Sequence, residues 1–298
     1  HPQSLALPRG AATFTVNLPG LPEPSFVVTS PSFSTVKRGL NRKLDEWNRT
    51  ARSQGYRNPA LSSLIVEEAY SSQQVAVALG LNAEWVTGSK FDSVLNVNHD
   101  SSTETAFALY RQVFYRVTMD QPGNPAAVFA DSVTARQVQA KTNAGQPPAY
   151  VRSVDYGRLL LIKMEVAKSK TDVDMEATFT KMLAAAEVSG SIDSSYSETI
   201  SNAKFTVAAI GGNAENAAQF SGSRQDIERL GNYIQRGASY SVDNPGVPIA
   251  YTVAFLKDGQ LARMGFGSDY STNECVEYPN GYVKISHDGA YVATFRVT

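Results

Sequence analysis

Lys204 to Gly212 reads KFTVAAIGG, a β-rich apolar segment that stops at two consecutive glycines. Glycine within a strand pattern marks a bulge, a bend or a close backbone approach. Immediately upstream the period changes. Met175, Phe179, Met182 or Leu183 and Ala186 recur at three- and four-residue spacing, followed by Ile192, Tyr196 and Ile200. Residues 171–203 are therefore expected to be helical. Short helices abutting a bent strand predict an α+β fold.

Working outward, residues 11–18 read as a strand ended by Pro19-Gly20, and Ser32 to Arg49 as a helix carrying Val36, Leu40, Leu44 and Trp47 on one face. Leu64 to Tyr70 reads as a strand, and Ser71-Ser72 as the cap of a short helix through Val75, Ala78 and Leu79. Phe91 to Asn98 partly alternates. Phe107 to Met119 is a stronger strand, with Phe107, Leu109, Val113, Tyr115 and Val117 expected on one side, interrupted by Arg111. Pro122, Gly123 and Pro125 break the pattern, and 126–141 reads as a small helical connection. A long strand over 150–166 has LLLIKMEV at its heart. A helix over 224–236 carries Ile227, Leu230 and Ile234, and strands follow at 248–257, 260–267 and 272–286, the first two joined by a tight Lys257-Asp258-Gly259 turn. The last strand is Tyr291 to Val297. Such interleaving predicts a sheet assembled from strands distant in sequence.

Composition sets bounds. The 298 residues can bury a substantial core, and the 42% hydrophobic fraction, with 14 Tyr and 13 Phe, is that of a folded chain. A net charge of −1 supplies no bulk field toward nucleic acid. The single cysteine, Cys275, excludes an intrachain disulfide, and no apolar run reaches the length of a transmembrane helix. His1, His99 and His287 are scattered, so no zinc-type His/Cys cluster is expected. Glu67-Glu68 and Asp172, Asp174 and Glu176 read as structural carboxylates, the latter set at a helix start where acids favour the dipole. Gly265-Phe266-Gly267 falls short of a dinucleotide fingerprint, Gly211-Gly212 lacks a phosphate-loop lysine, and no nucleophile elbow occurs. No enzyme, cofactor or metal is expected. Lys37, Arg38, Arg42, Lys43, Arg49 and Arg52 form a basic helix, read as a solvated face, with a partner or phosphate contact as the alternative.

Three further blocks accompany KFTVAAIGG: PPAYVRSVDYGRLLLIKME (Pro147 to Glu165), NPGVPIAYTVAFLKDG (Asn244 to Gly259) and SHDGAYVATFRVT (Ser286 to Thr298). FTVNLPGL (Phe14 to Leu21), Leu109 to Thr134, and the segment with Ser268, Asp269 and Tyr270 add to them. In order and approximate spacing, from about residue 13 onward, these blocks resemble the cholesterol-dependent (thiol-activated) cytolysins, secreted pore-forming proteins. The resemblance implies an α+β fold with a bent, mainly antiparallel central β-sheet flanked by helical clusters, a MACPF/CDC-like core. Two clusters, about Ser72 to Asp100 and Thr171 to Tyr196, are implied to unfurl into transmembrane β-hairpins. Gly211 and Gly212 are implied to let a strand bend and then straighten, since they lack the Cβ that restricts backbone dihedrals; a plain β-bulge is the alternative. Phe205 occupies the aromatic position the family uses for intersubunit strand alignment.

Departures accompany the resemblance. The aromatic partner of Phe205 falls on Leu64, and the acidic and basic intersubunit pair falls on Val66 and Gly222. The family's C-terminal β-sandwich, with its cysteine-containing loop, would begin after Thr298, so thiol activation is not carried over to Cys275. The chain is accordingly expected to be a truncated piece, a proteolytic core or a short member. The resemblance divides it into remnant strands of an elongated second domain (11–19 and 290–298), a scaffold domain (20–67, 118–157 and 237–289) and a pore-forming domain (68–117 and 158–236).

Physical feasibility depends on length and pattern. A membrane-spanning strand needs about 9–11 residues, so each hairpin needs roughly 20 to 25, which both segments supply. Met182, Ala184, Ala186 and Val188 share one parity, opposed by Lys181, Leu183, Ala185 and Glu187. A barrel strand requires no more, although an alanine-rich helix packed on a sheet fits the same residues. An isolated hairpin leaves backbone groups unpaired in lipid, so insertion implies a closed oligomer. The expected partners are further copies in a ring or a longer cytolysin-like homologue, together with target-membrane lipid. The expected location is secreted, then the target-cell membrane. A non-lytic scaffold, or one half of a two-component assembly, is the alternative.

Overall fold

The fold follows from two long strands that lie side by side for most of their length. In this computed structural model the structure describes residues 5–68, 94, 103–142, 147–167, 174, 177–181, 200–211, 218–221 and 223–262. The chain divides into two compact units, 1–265 and 266–298, and every described residue belongs to the first. The strands are β1 (Ala12–Val16), β2 (Ser25–Val28), β3 (Leu61–Glu68), β4 (Thr103–Met119), β5 (Ala149–Ala167), β6 (Lys204–Ile210), β7 (Ala218–Ser221) and β8 (Val247–Phe255). Among the described residues the helices are α1 (Phe33–Arg49), α2 (Ala135–Gln139) and α3 (Arg224–Arg236), with a short 3-10 turn at Pro125–Val128 and a helical turn at 177–181.

Among the described residues all eight strands form one antiparallel sheet, β2-β1-β4-β5-β6-β7, with β3 also on β4 and β8 also on β5. β4 and β5, at 17 and 19 residues, are its spine. Each changes partner midway. On its outer edge β4 carries β3 along Ala106–Val113 and β1 along Val117–Met119. β5 carries β8 along Ala149–Gly157 and β6 along Leu159–Glu165, so Arg158 falls in the gap between them. The spine therefore joins an upper half, β3-β4-β5-β6-β7, to a lower half, β2-β1-β4-β5-β8.

The seam between the halves contains a β-bulge. Register between β4 and β5 shifts between Val113 and Tyr115, leaving Phe114 as the extra residue. A bulge bends its strand and breaks the alternation of faces. The five residues expected on one side therefore separate: Phe107, Leu109 and Val113 pack in one cluster, while Tyr115 and Val117 join Phe114 in another. Backbone groups left without a strand partner are met by side chains, as burial requires. Asn58 Nδ2 donates to the Phe114 carbonyl at 2.5 Å, and the Arg116 N–H donates to Asn17 Oδ1 while its carbonyl accepts from the Asn17 N–H at 3.1 Å.

Below the seam, α1 covers the sheet. Ser32 caps it in a reciprocal box with Thr35, satisfying donors that the first turn cannot pair internally. Leu40, Leu44 and Trp47 face Val16, Leu18, Tyr115 and Tyr240. Trp47 is fully buried, donates from Nε1 to the Pro19 carbonyl at 2.7 Å, and lies 5.4 Å from the Tyr240 ring. Tyr115 stacks on Tyr156 at 5.1 Å and meets Tyr240 edge-on at 5.3 Å. On the exposed side, Arg116 and Asp155 form a bidentate cross-strand pair at 2.5 and 3.0 Å, a solvent-screened contact of small weight.

α1, α3, β1, β5 and β6 lie where periodicity puts them, and β3 begins three residues earlier than Leu64. The Lys257-Asp258-Gly259 turn is present, with Gly259 at φ +71 and the Phe255 N–H donating to the Gln260 carbonyl at 2.9 Å. β2 and β7, four residues each, carry too little pattern to be read from sequence. The expected short helix after Ser72, most of 171–203 and the strands after residue 262 lie outside the described residues.

Trp47→Ala should lower unfolding free energy by about 3–5 kcal/mol in denaturant titration, the usual cost of emptying a buried tryptophan site. Burial pushes the Tyr115, Tyr156 and Tyr240 hydroxyls up, with neighbouring phenols adding to the rise at Tyr115. The folded chain thus keeps protons that the unfolded chain releases around pH 10. Stability should fall as pH climbs above about 10, more shallowly in Tyr115→Phe, as read by urea midpoints at stepped pH.

Candidate functional site

The upper half of the sheet is apolar on both faces, which a sheet tolerates only if both are covered. On one face Ala106, Ala108, Tyr110, Leu160, Ile162, Met164, Phe205, Val207 and Ala209 meet Leu230 and Ile234 of α3 together with Phe179, Ile200 and Ala203. On the other, Phe107, Leu109, Leu159, Leu161 and Ala208 meet Val94 and Ile249. Val94 and Phe179 belong to the two segments expected to refold. Each segment therefore places at least one fully buried side chain against a different face of the sheet.

The connectivity of those segments is the central geometric fact. Residues 69–102 link β3 to β4, and residues 168–203 link β5 to β6. Both links join antiparallel neighbours. Glu68 pairs with Ala106, Ala106 with Met164, and Met164 with Phe205, so both links leave from one end of four contiguous strands.

Of the sequence-nominated residues, Leu64 sits half-buried on β3, opposite Tyr110, and Val66 packs beside it. Phe205 is on β6, on the same face as Leu64 but three strands away and out of register with it, since Leu64 aligns through Tyr110 and Leu160 with Ala209. It is fully buried and meets the Phe179 ring edge-on at 6.2 Å and 85°. The structure thus gives Phe205 an aromatic neighbour within its own chain. Gly211 ends β6 at φ +82, and a Cβ there would lie 2.4 Å from the Gly157 carbonyl oxygen. Only glycine fits both that conformation and that approach. Gly212, Gly222, Ser72, Asp100, Thr171 and Tyr196 lie outside the described residues, as do His99, His287 and Cys275. Asp174 caps a helical turn, accepting from the Ala177 N–H at 2.8 Å, in keeping with the structural reading of that carboxylate. Among the described residues no His, Cys, Asp and Glu cluster could hold a metal, and no helix is long and apolar enough to cross a membrane.

Sequence reasoning missed the polar cluster at the seam. Arg158 is 2% exposed, on the face that carries α3. Its Nε and Nη2 donate to Gln112 Oε1 at 2.9 and 2.6 Å, and Nη2 donates to the Ile234 carbonyl at 3.0 Å. The Tyr233 carbonyl accepts longer contacts at 3.4 and 3.5 Å, and the guanidinium carbon lies 5.4 Å from the Tyr233 ring centre. Gln112 Nε2 also donates to the Ile234 carbonyl, at 3.3 Å. A cation suits the carbonyl end of a helix. Desolvation pushes the Arg158 guanidinium below its ordinary value, with Tyr233 and Tyr110 opposing. The available signal was a lone arginine opening the apolar run LLLI within a strand. Position alone does not say whether such an arginine faces water.

The comparisons agree with this geometry. The sequence matches the family described as thiol-activated cytolysin over residues 1–278. It is 33% identical over 303 residues to tetanolysin of Clostridium tetani, covering 100% of this chain and 55% of that protein. Perfringolysin O of Clostridium perfringens is 31% identical, with 100% and 58% covered. The crystal structure of the human-specific toxin intermedilysin superposes with a TM-score of 0.75 at 29% identity, covering 88% of this chain and 54% of that one. Listeriolysin O gives 0.73 at 28% identity, with 88% and 53% covered. The chain spans about half the length of these relatives. With an antiparallel sheet matched in structure and the sequence matched over nearly its whole length, this chain belongs to the thiol-activated cytolysin family.

Proposed function

We propose that this chain is the assembly and insertion core of a pore-forming toxin. Copies associate edge to edge through the upper half of the sheet, and residues 72–100 and 171–196 convert into two transmembrane β-hairpins of a large barrel. The observation that carries this reading is connectivity: each segment already bridges two paired antiparallel strands, and both leave from the same end of the sheet. Extending β3-β4 and β5-β6 into hairpins continues existing ladders without changing strand order. Four contiguous strands per subunit would then enter the barrel.

Edge availability supports association. Among the described residues β3 pairs only with β4, and β7 only with β6, so each flank of the upper half presents a strand with one unpaired side. Such edges template further pairing, and a ring closes them. The parts described pack Phe205 beneath Phe179, so that ring must leave its partner before it can align strands across subunits. The reading needs no catalytic chemistry. It places the protein outside the producing cell and then at the membrane of a target cell, with membrane lipid and further copies as partners.

Leu64 favours a second reading. An aliphatic residue there removes one ring from an aromatic alignment pair, which suits a non-lytic scaffold or a subunit that assembles with a longer cytolysin-like homologue.

Dye release from cholesterol-containing liposomes separates the readings. Release by the chain alone is expected for an insertion core; release only when a longer homologue is added would favour the two-component subunit, and membrane-bound assemblies without release in either case would favour the scaffold. A second test ties the helical turn at 177–181 to β6 by an engineered disulfide in a Cys275→Ser background. The oxidised protein should release no dye and recover on reduction, whereas release by the oxidised form would remove 171–196 from the inserting apparatus.

A further inference from the structure

Four glycines converge on one point of the spine. A Cβ on Gly157 would lie 1.9 Å from the Gln112 carbonyl oxygen, one on Gly211 would lie 2.4 Å from the Gly157 carbonyl oxygen, and one on Gly246 would lie 2.9 Å from the Gly157 nitrogen. The fourth, Gly237, follows the last residue of α3, and its Cβ would lie 1.9 Å from Arg158 Cζ. That glycine has an ordinary negative φ of −91, so its backbone would accept a side chain. Its lack of one makes room for a guanidinium.

Arg158 occupies this space at the β5 position that neither β6 nor β8 pairs. Its hydrogen bonds run to Gln112 on β4 and to the last turn of α3. The loop beyond α3 is itself anchored, because Asn244 Nδ2 donates to the carbonyls of Gly237 and Ser239 at 3.1 and 2.6 Å, and the Tyr240 N–H donates to the Asn58 carbonyl at 3.2 Å. The chain is thus held to the lower half just after the point where Arg158 holds α3 to the spine. Among the described residues no carboxylate neutralises the cation. A guanidinium held only by neutral acceptors has two good states: buried with every acceptor in place, or fully hydrated. Partial separation is worse than either.

We propose that Arg158 is a conformational latch. Its guanidinium clamps the C-terminal turn of α3 onto the β4–β5 spine at the seam, and its withdrawal is the all-or-none local opening that lets the upper sheet change shape while the lower half holds. The functional consequence rests on the pore-forming reading; the latch itself does not.

Amide hydrogen exchange of the whole chain in membrane-free buffer tests it. Arg158→Lys keeps the charge but loses the forked donor set. Gly237→Ala leaves the arginine in the sequence and expels its head by a different route. Each should speed exchange of the C-terminal half of α3, residues 230–236, by about 10-fold or more, the scale of losing hydrogen bonds to a charged group. Exchange in α1 should stay unchanged. The double variant should open α3 no further than either single one, because both remove the same contact. Unchanged exchange at 230–236 in both variants would overturn the latch, as would α1 and α3 accelerating together, which would make Arg158 ordinary packing. Liposome release is measured separately, so failure of the pore-forming reading leaves these outcomes readable.

Discussion

The antiparallel pairing of β4 with β5 is the constraint on which the rest depends. It is continuous from Thr103–Ala167 to Thr118–Ser153 except for one bulge, and every other described strand attaches, directly or through β1 or β6, to one of these two. Because the same two strands serve both halves, the halves cannot be built as independent domains. The upper stretch is buried on both faces, as the unbroken apolar run Leu159–Ile162 requires, whereas the lower stretch is covered by α1 on one face and carries the exposed Arg116–Asp155 pair on the other. Local chemistry therefore changes along a strand whose backbone does not.

The seam reconciles these two regimes. A bulge at Phe114 re-aims the side chains, Asn17 and Asn58 satisfy backbone groups where β3 gives way to β1, and Gly157 and Gly211 let β6 and β8 abut on the same edge of β5. Arg158 and Gln112 then tie that edge to a helix drawn from much later in the chain. A seam built from side-chain hydrogen bonds and close glycine contacts is less uniform than a ladder, and the proposed change in shape of the upper sheet would fall there without loss of the spine.

Legibility in the sequence tracks how local each signal is. Trp47, Leu44 and Leu40 repeat at helical spacing and α1 forms there; KFTVAAIGG forms β6 and stops at Gly211 because the next step needs φ +82 beside a neighbouring carbonyl. Arg158 was not legible, since its burial is decided by the last turn of α3, and strand alternation alone treats an arginine as solvent-facing. The family resemblance singles out Phe205 for alignment between subunits, whereas its ring here meets Phe179 in the same chain, a contact that requires knowing how residues 177–181 lie on the sheet. The bulge at Phe114 was hidden for the converse reason: Val113, Tyr115 and Val117 alternate acceptably in sequence, and only the partner strand reveals the extra residue.

Topology also bears on the proposed conversion of these segments into strands. Converting a connection into strands is usually obstructed by the need to thread between existing partners. Here residues 69–102 and 168–203 each begin and end on adjacent antiparallel strands at a common end of the sheet, so extension adds rungs to ladders already in register. What opposes extension is the apolar burial those segments provide, through Val94 on one face and Phe179 and Ile200 on the other. Each such side chain contributes roughly 1.5–3 kcal/mol when buried, and bilayer hydrocarbon can replace the sheet as its apolar surroundings. On the proposed pore-forming reading, the packed state is favoured in water and would lose that advantage at a membrane only once neighbouring copies supply the backbone partners that lipid cannot.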